Sequence, residues 1–241
     1  HRGGLVRMIH QSEPHRDDLN NHMSRLRAGV LGANDGIIST AGLVIGVAAA
    51  TTDTSAIATA GVAGLISGAV SMALGEFVSV STQRDVERAL IRKERQELEE
   101  MPVAEHQELI EILRQQGLTA ATAKNVADEL TAEDPLEAHL RVELGIDRHN
   151  LTRPWGAAGS SLAAFSVGAL LPLIAVLVSA ASIRIPVTFA AVLLGLCATG
   201  FISARLGGAS PAKAVVRLLV GGAAAMAITY AVGQLVGTFN G

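Results

Sequence analysis

Five stretches of the chain stay apolar long enough to cross a bilayer: Val30 to Ala50, Ile57 to Thr82, Ala157 to Val178, Val187 to Leu206 and Val215 to Val236. Roughly 20 residues at about 1.5 Å each cover the 30 Å of hydrocarbon. A helical reading is required there, because the bilayer core offers no partner to a free backbone group. Pro172, in "LLPLIA", is placed to kink the third span. Polar interruptions are few: Asn34 and Asp35 in the first span, and Glu76 in the second.

Between the second and third spans the pattern turns charged but stays helical. Gln83 to Glu100 continues the helix of span 2. Pro102 opens a second helix that Gly117 closes. Thr119 caps a third, ending near Ala132. "DPLE" at 134 to 137 is a strong start signal, with Asp134 as cap, Pro135 at the first position and Glu137 closing the box. That last helix runs to about Leu144 and stops at Gly145. No strand pattern appears. The expectation is an all-α integral membrane protein: a segment over 1–27, spans 1 and 2 over 28–82, a helical domain over 83–154, and spans 3 to 5 over 155–241.

Composition agrees. Apolar residues make up 49% and aromatics 3%, fewer aromatics than a soluble core of this length would use. Ala, Gly, Val, Leu and Ile instead suit membrane helices packed through small residues. Three GxxxG pairs (Gly32/Gly36, Gly42/Gly46 and Gly64/Gly68) predict close packing of spans 1 and 2, within one chain or across a dimer. The single cysteine, Cys197, allows no intrachain disulfide and no CxxC metal motif. No signal peptide is read in the first residues, and a start at His1 suggests numbering from inside a longer chain.

Charge gives orientation. Arg84 to Arg148 holds 16 acids and 9 bases, a net of −7, while the rest has 6 acids and 10 bases, a net of +4. Arg25 and Arg27 precede span 1, Arg84 and Arg88 follow span 2, and Arg153 precedes span 3. Arg205, Lys213 and Arg217 flank the 4–5 loop, whereas "TTDTSA" has no base and the 3–4 loop has only Arg184. The positive-inside rule then places the N-terminus and the acidic domain in the cytoplasm and the C-terminus outside.

The buried acids carry the chemistry. No Lys or Arg lies between Arg27 and Arg84, yet Asp35, Asp53 and Glu76 do. Asp53, in the outer loop, can stay wet. A carboxylate within a span costs at least ~2.5 kcal/mol, and neither span offers a cation to Asp35 or Glu76. Protonation, a water-filled cavity or a bound metal ion would each relieve that cost. Met72, one turn before Glu76, shares its helix face. A thioether beside a carboxylate is a poor offer to Mg²⁺ or Ca²⁺ and a better one to a transition metal. The plainer readings are a packing methionine and an interfacial, solvated Glu76.

In the acidic domain Glu94/Glu97 and Glu105/Glu108 are i, i+3 pairs, and His139/Glu143 an i, i+4 pair. A turn near Met101 and Pro102 would let the four glutamates converge. Carboxylates with an imidazole suit Fe²⁺, Mn²⁺ or Zn²⁺; the alternative is a solvated charged face. There is no Glu-x-x-His, the signature of diiron bundles, and no nucleophile–base set, phosphate loop or cofactor motif, so no enzyme is expected.

"LGANDGIIST", "SGAVSMALGEFVSVSTQRD", the acidic helices and "VELGID" resemble the vacuolar iron transporter family, including its bacterial and nodulin-like members. The likeness runs from His22 to the last span. It implies a dimer of five-span subunits that moves Fe²⁺, and often Mn²⁺, out of the cytoplasm against protons. It also implies a transport site at Asp35 and Met72 and a collecting site at Glu94, Glu97, Glu105, Glu108 and Glu143. Two positions depart: plant members carry a glutamate where Gly64 stands here, and a methionine pair where His139 and Leu140 stand. Glu76 is read as taking over the missing charge, and His139 as making the ligand set harder.

The reading is therefore a divalent metal/proton antiporter in which the acidic domain gathers the ion, Asp35 and Met72 pass it near a dimer axis, and Glu76 guides entry or exchanges protons. Every histidine lies outside the spans, so a carboxylate is the expected proton carrier. An uncoupled channel and an anchored metal buffer or sensor are the rivals. Expected partners are metal ions, protons, lipid and a second copy of the chain, with no nucleic acid. The Ala/Gly/Val bias points to a bacterial plasma membrane, or a vacuolar membrane if the chain is eukaryotic.

Overall fold

The computed structural model of the chain describes residues 16–148 and 151–240. Residues 1–15 of the segment expected over 1–27 lie outside the described residues. Everything regular among the described residues is helical: α1 (Arg16–Ala50), α2 (Thr54–Glu100), α3 (Pro102–Gln115), α4 (Ala120–Glu133), α5 (Pro135–Val142), α6 (Pro154–Val178), α7 (Arg184–Leu206) and α8 (Pro211–Asn240). Five of these helices are long and apolar enough to cross a membrane: α1, α2, α6, α7 and α8. Five helices of that length and hydropathy mark the chain as an integral membrane protein.

The chain divides into two compact units, Ser79–Arg153 and Leu19–Val78 with Pro154–Gly241. In the spanning unit, α1 and α6 are the most enclosed helices, while the spans of α2, α7 and α8 turn most of their surface outward. Two apolar clusters hold α1. Ile37, Ala41 and Ile45 meet Val192 and Leu196 of α7 and Met226 of α8. Val44 meets Ile57 of α2 and Leu173 and Val176 of α6. Pro172 lies inside α6, on its buried side.

The glycine rows work differently from the expectation. Gly32 and Gly36 of α1 face α6, where a Cβ would meet the carbonyls of Ser161 and Phe165, and Gly168 of α6 sits on the Ala33 carbonyl in return. Gly42 and Gly46 face Thr229 of α8, with Gly233 and Gly237 closing on Gly46 and Ala50. The α1 pairs therefore bring α1 to the third and fifth spans. Contact with α2 runs instead through Gly61 against Val44 and Gly64 against Leu43. The motif reports close backbone approach but not the partner.

The other unit has its own core. Leu109, Ile110 and Leu113 of α3 pack on Ala123 and Ala127 of α4 and Ala138 of α5. Thr119 caps α4, its side chain accepting from the Thr122 N–H at 3.3 Å. The α3 and α5 ends are turned by Gly117 (φ +101°) and Gly145 (φ +64°), left-handed positions that favour glycine.

Candidate metal centre

The centre is assembled by two local signals. After Glu100 the chain leaves the helix at Met101 (φ −134°, ψ 49°), and Pro102 starts α3 where its missing N–H is not needed. This reversal sets Glu105, in the first turn of α3, toward Glu94 of α2. Asp134 then starts α5 by accepting from the Glu137 N–H at 3.0 Å. Arg148 braces that turn, 2.6 Å from Asp134 and 3.0 Å from Glu137. The Glu137 N–H and Arg148 together hold the Asp134 carboxyl below its ordinary range. With α5 fixed, His139 points inward between the buried Ala138 and Leu140.

Glu94, Glu105 and His139 come together with one donor atom from each within 4.8 Å of the others. They are 3%, 5% and 1% exposed, values that matter because a buried carboxylate without a cation is unfavourable. His139 Nδ1 lies 3.0 Å from Glu94, 3.2 Å from Glu143 and 3.8 Å from Glu105. Its hydrogen bond goes to Glu143 Oε2, leaving Glu94 Oε1 buried without one. Burial, then the charge of Glu143, pushes the Glu94 carboxyl up to about 7 against the opposing pull of His139. Burial, then Glu108, raises Glu105 as well.

This arrangement fits a divalent transition metal. Two or three carboxylates and one imidazole form a borderline donor set suited to Fe²⁺ or Mn²⁺. An ion would supply the positive charge that the cluster lacks and a partner for Glu94 Oε1. The other expected residues are placed less centrally. Glu97 is held by Lys93, whose Nζ lies 2.7 Å from both carboxylate oxygens. Glu108 is exposed on the surface of α3. Leu140 is fully buried and packs.

In the spanning unit neither Asp35 nor Glu76 belongs to a group of three or more His, Cys, Asp or Glu among the described residues. Asp35 is half-buried, and its backbone carbonyl accepts from Ser39 Oγ at 2.6 Å. Met72 packs against the cluster of Ala69, Phe165 and Ala169. Glu76 is half-buried beside Phe77, whose ring lies 4.6 Å from that of Trp155, an aromatic pair of the kind found at bilayer surfaces. Among the described residues neither Asp35 nor Glu76 has a hydrogen bond or ion pair to its carboxylate.

Three polar ties escaped the sequence reading. Thr199 Oγ1 of α7 donates to Asn34 Oδ1 at 2.7 Å, which explains the amide in "LGANDG" as a link between spans. Arg184, buried at the start of α7, donates to Thr54 Oγ1 at 3.0 Å. His106 Nε2 of α3 lies 2.8 Å from Asp128 of α4. Each joins residues far apart in the chain, where periodicity carries no signal.

A family model described as the VIT family matches residues 26–234. "Vacuolar iron transporter" of Acanthamoeba castellanii is 41% identical over 222 residues, 89% of this chain and 80% of the relative. "Vacuolar iron transporter homolog 3" of Arabidopsis thaliana is 36% identical over 224 residues, 92% of this chain and 88% of the relative. "Vacuolar iron transporter homolog 1" of Oryza sativa is 38% identical over 221 residues, covering 90% and 77%.

Proposed function

The chain belongs to the VIT family, and from that premise we propose that it carries Fe²⁺, and with it Mn²⁺, across a membrane. The observation that carries this reading is the buried convergence of Glu94, Glu105 and His139 in a chain with five spanning helices. A transporter family is not an enzyme class.

In this reading the acidic helices lie in the cytoplasm with the N-terminus, and the C-terminus lies outside, as the basic residues around the spans favour. The ion is gathered at Glu94, Glu105 and His139, with Glu143 as fourth donor and Glu97 and Glu108 at the approach. It then crosses by way of Asp35 and Met72, with Glu76 at the entrance. Among the described residues neither membrane carboxylate has a hydrogen-bond or ion-pair partner, which supports a path completed by a second copy of the chain. Exchange of two protons for one divalent ion limits the uncompensated charge in the bilayer. The membrane is the plasma membrane in a bacterium, or the vacuolar membrane in a eukaryote.

A second reading, an anchored metal buffer, draws on one observation: Glu94, Glu105 and His139 form a group within the chain, while neither Asp35 nor Glu76 belongs to such a group among the described residues. One experiment separates the two. Fe²⁺ and Mn²⁺ uptake is measured in proteoliposomes holding a pH dye, for wild type and Asp35→Ala. Transport predicts metal-driven proton movement that disappears in the variant. Binding without uptake in the wild type would leave the buffer, and uptake without proton movement would leave an uncoupled channel.

A further inference from the structure

Phe165 belongs to no motif, yet three spans meet on it. It lies in α6 and is 2% exposed. Its backbone carbonyl closes on Gly36 of α1, where any Cβ would collide with it. Its ring fills the notch left by Gly68 of α2, where a Cβ would meet the ring tip. Ala69, Ala169 and Met72 complete the cluster around it. Gly36 follows Asp35 directly. Met72 lies one turn after Gly68, on the face that the ring touches.

Resting on the transport reading above, we infer that Phe165 is a positioning residue of the metal path, keyed between Gly36 and Gly68 so as to hold Met72 and fix the register of Asp35. The physical grounds are steric. Buried side chains are close-packed, so the ring has no free space to move into. A thioether is flexible and takes its position from what surrounds it, and a ring is a favourable neighbour for sulfur. Two glycines, one on α1 and one on α2, receive the backbone carbonyl and the ring of one residue. The separation of those helices beside Asp35 and Met72 therefore follows the size of the residue at 165.

The test uses the full chain with Gly68→Ala, Phe165→Leu, Met72→Leu and the pair Gly68→Ala/Phe165→Leu. Melting in detergent and Fe²⁺ and Mn²⁺ uptake in proteoliposomes are both measured. Gly68→Ala is expected to cut uptake about tenfold by displacing the ring, and Phe165→Leu in the same chain to restore most of it. Phe165→Leu alone is expected to shift the ratio of Fe²⁺ to Mn²⁺ uptake in the same direction as Met72→Leu, which general loosening of the fold would not do.

Wild-type uptake with independent, additive effects of the two substitutions at 68 and 165 would overturn the inference and leave the transport reading standing. So would coupling in the melting temperature with an unchanged metal ratio, since the contact would then be structural only. Absence of uptake in the wild type would overturn both.

Discussion

The two units of this chain treat their carboxylates in opposite ways. Between Ser79 and Arg153, Glu94, Glu105 and His139 are brought from three helices into one buried cluster. In the spanning unit, Asp35 and Glu76 stand half-buried on separate helices without a partner among the described residues. The first arrangement is one that a metal ion completes. The second is a pair of separate carboxyl groups in segments where a bilayer makes charge costly. On the transport reading proposed above, the contrast separates holding an ion from passing it on: a closed donor set would give affinity, whereas a path would gain from donors that do not trap the ion.

Asp35→Ala should reduce Fe²⁺ uptake to the level of empty liposomes while binding to the purified protein, read by calorimetry, stays unchanged. Loss of binding in that variant would mean that the two units do not divide the work.

Glu94→Gln is the reciprocal case. Removing one donor from a buried set should weaken Fe²⁺ or Mn²⁺ binding on the order of 100-fold. Uptake at saturating metal should fall far less, which initial rates over a range of metal concentrations would check.

Acid should act on the same cluster by a smaller factor. A carboxyl at about 7 is half ionised at pH 7 and largely protonated at pH 6, so affinity should fall about fivefold across that interval through proton competition. The sign for stability runs the other way. Glu94 binds its proton more tightly folded than its ordinary 4.5 unfolded. The metal-free unit therefore loses stability as pH rises from about 4.5 to 7, and metal should restore it. Melting curves with and without Mn²⁺ would show both.

Thr199→Val should cost about 0.6 kcal/mol, the usual worth of a hydrogen bond between spans, seen as a small drop in melting temperature. Lys93→Ala should do least. Its bridge to Glu97 is exposed, so binding should change by less than about threefold. A larger gain in affinity would show that Lys93 competes with the ion for Glu97.

Much of this was legible along the chain. The five spans follow from hydropathy and length, and the helix starts in the acidic unit from local signals: the caps Thr119 for α4 and Asp134 for α5, and Pro102 at the first position of α3. The pairs Glu94/Glu97, Glu105/Glu108 and His139/Glu143 are visible by helical spacing. Spacing alone treats both members of a pair alike, however. It could not say that Glu94 would be buried and Glu97 taken by Lys93, or that Glu105 would point inward and Glu108 out. Those outcomes depend on where α3 lands after the turn at Met101.

The glycine rows mark the same boundary. The sequence by itself determined that α1 and α2 would present flat, close-packing faces, because glycine has no side chain to prevent approach. Only the tertiary structure decided which helix each face would receive: α6 at Gly36, α8 at Gly46, and the Phe165 ring at Gly68. Local chemistry fixes element, cap and exposure of the backbone, since those energies arise within a few residues. Partner and donor set are decided by contacts between residues far apart in the chain, such as Asn34 with Thr199 or Glu94 with His139, and these exist only once the helices have packed.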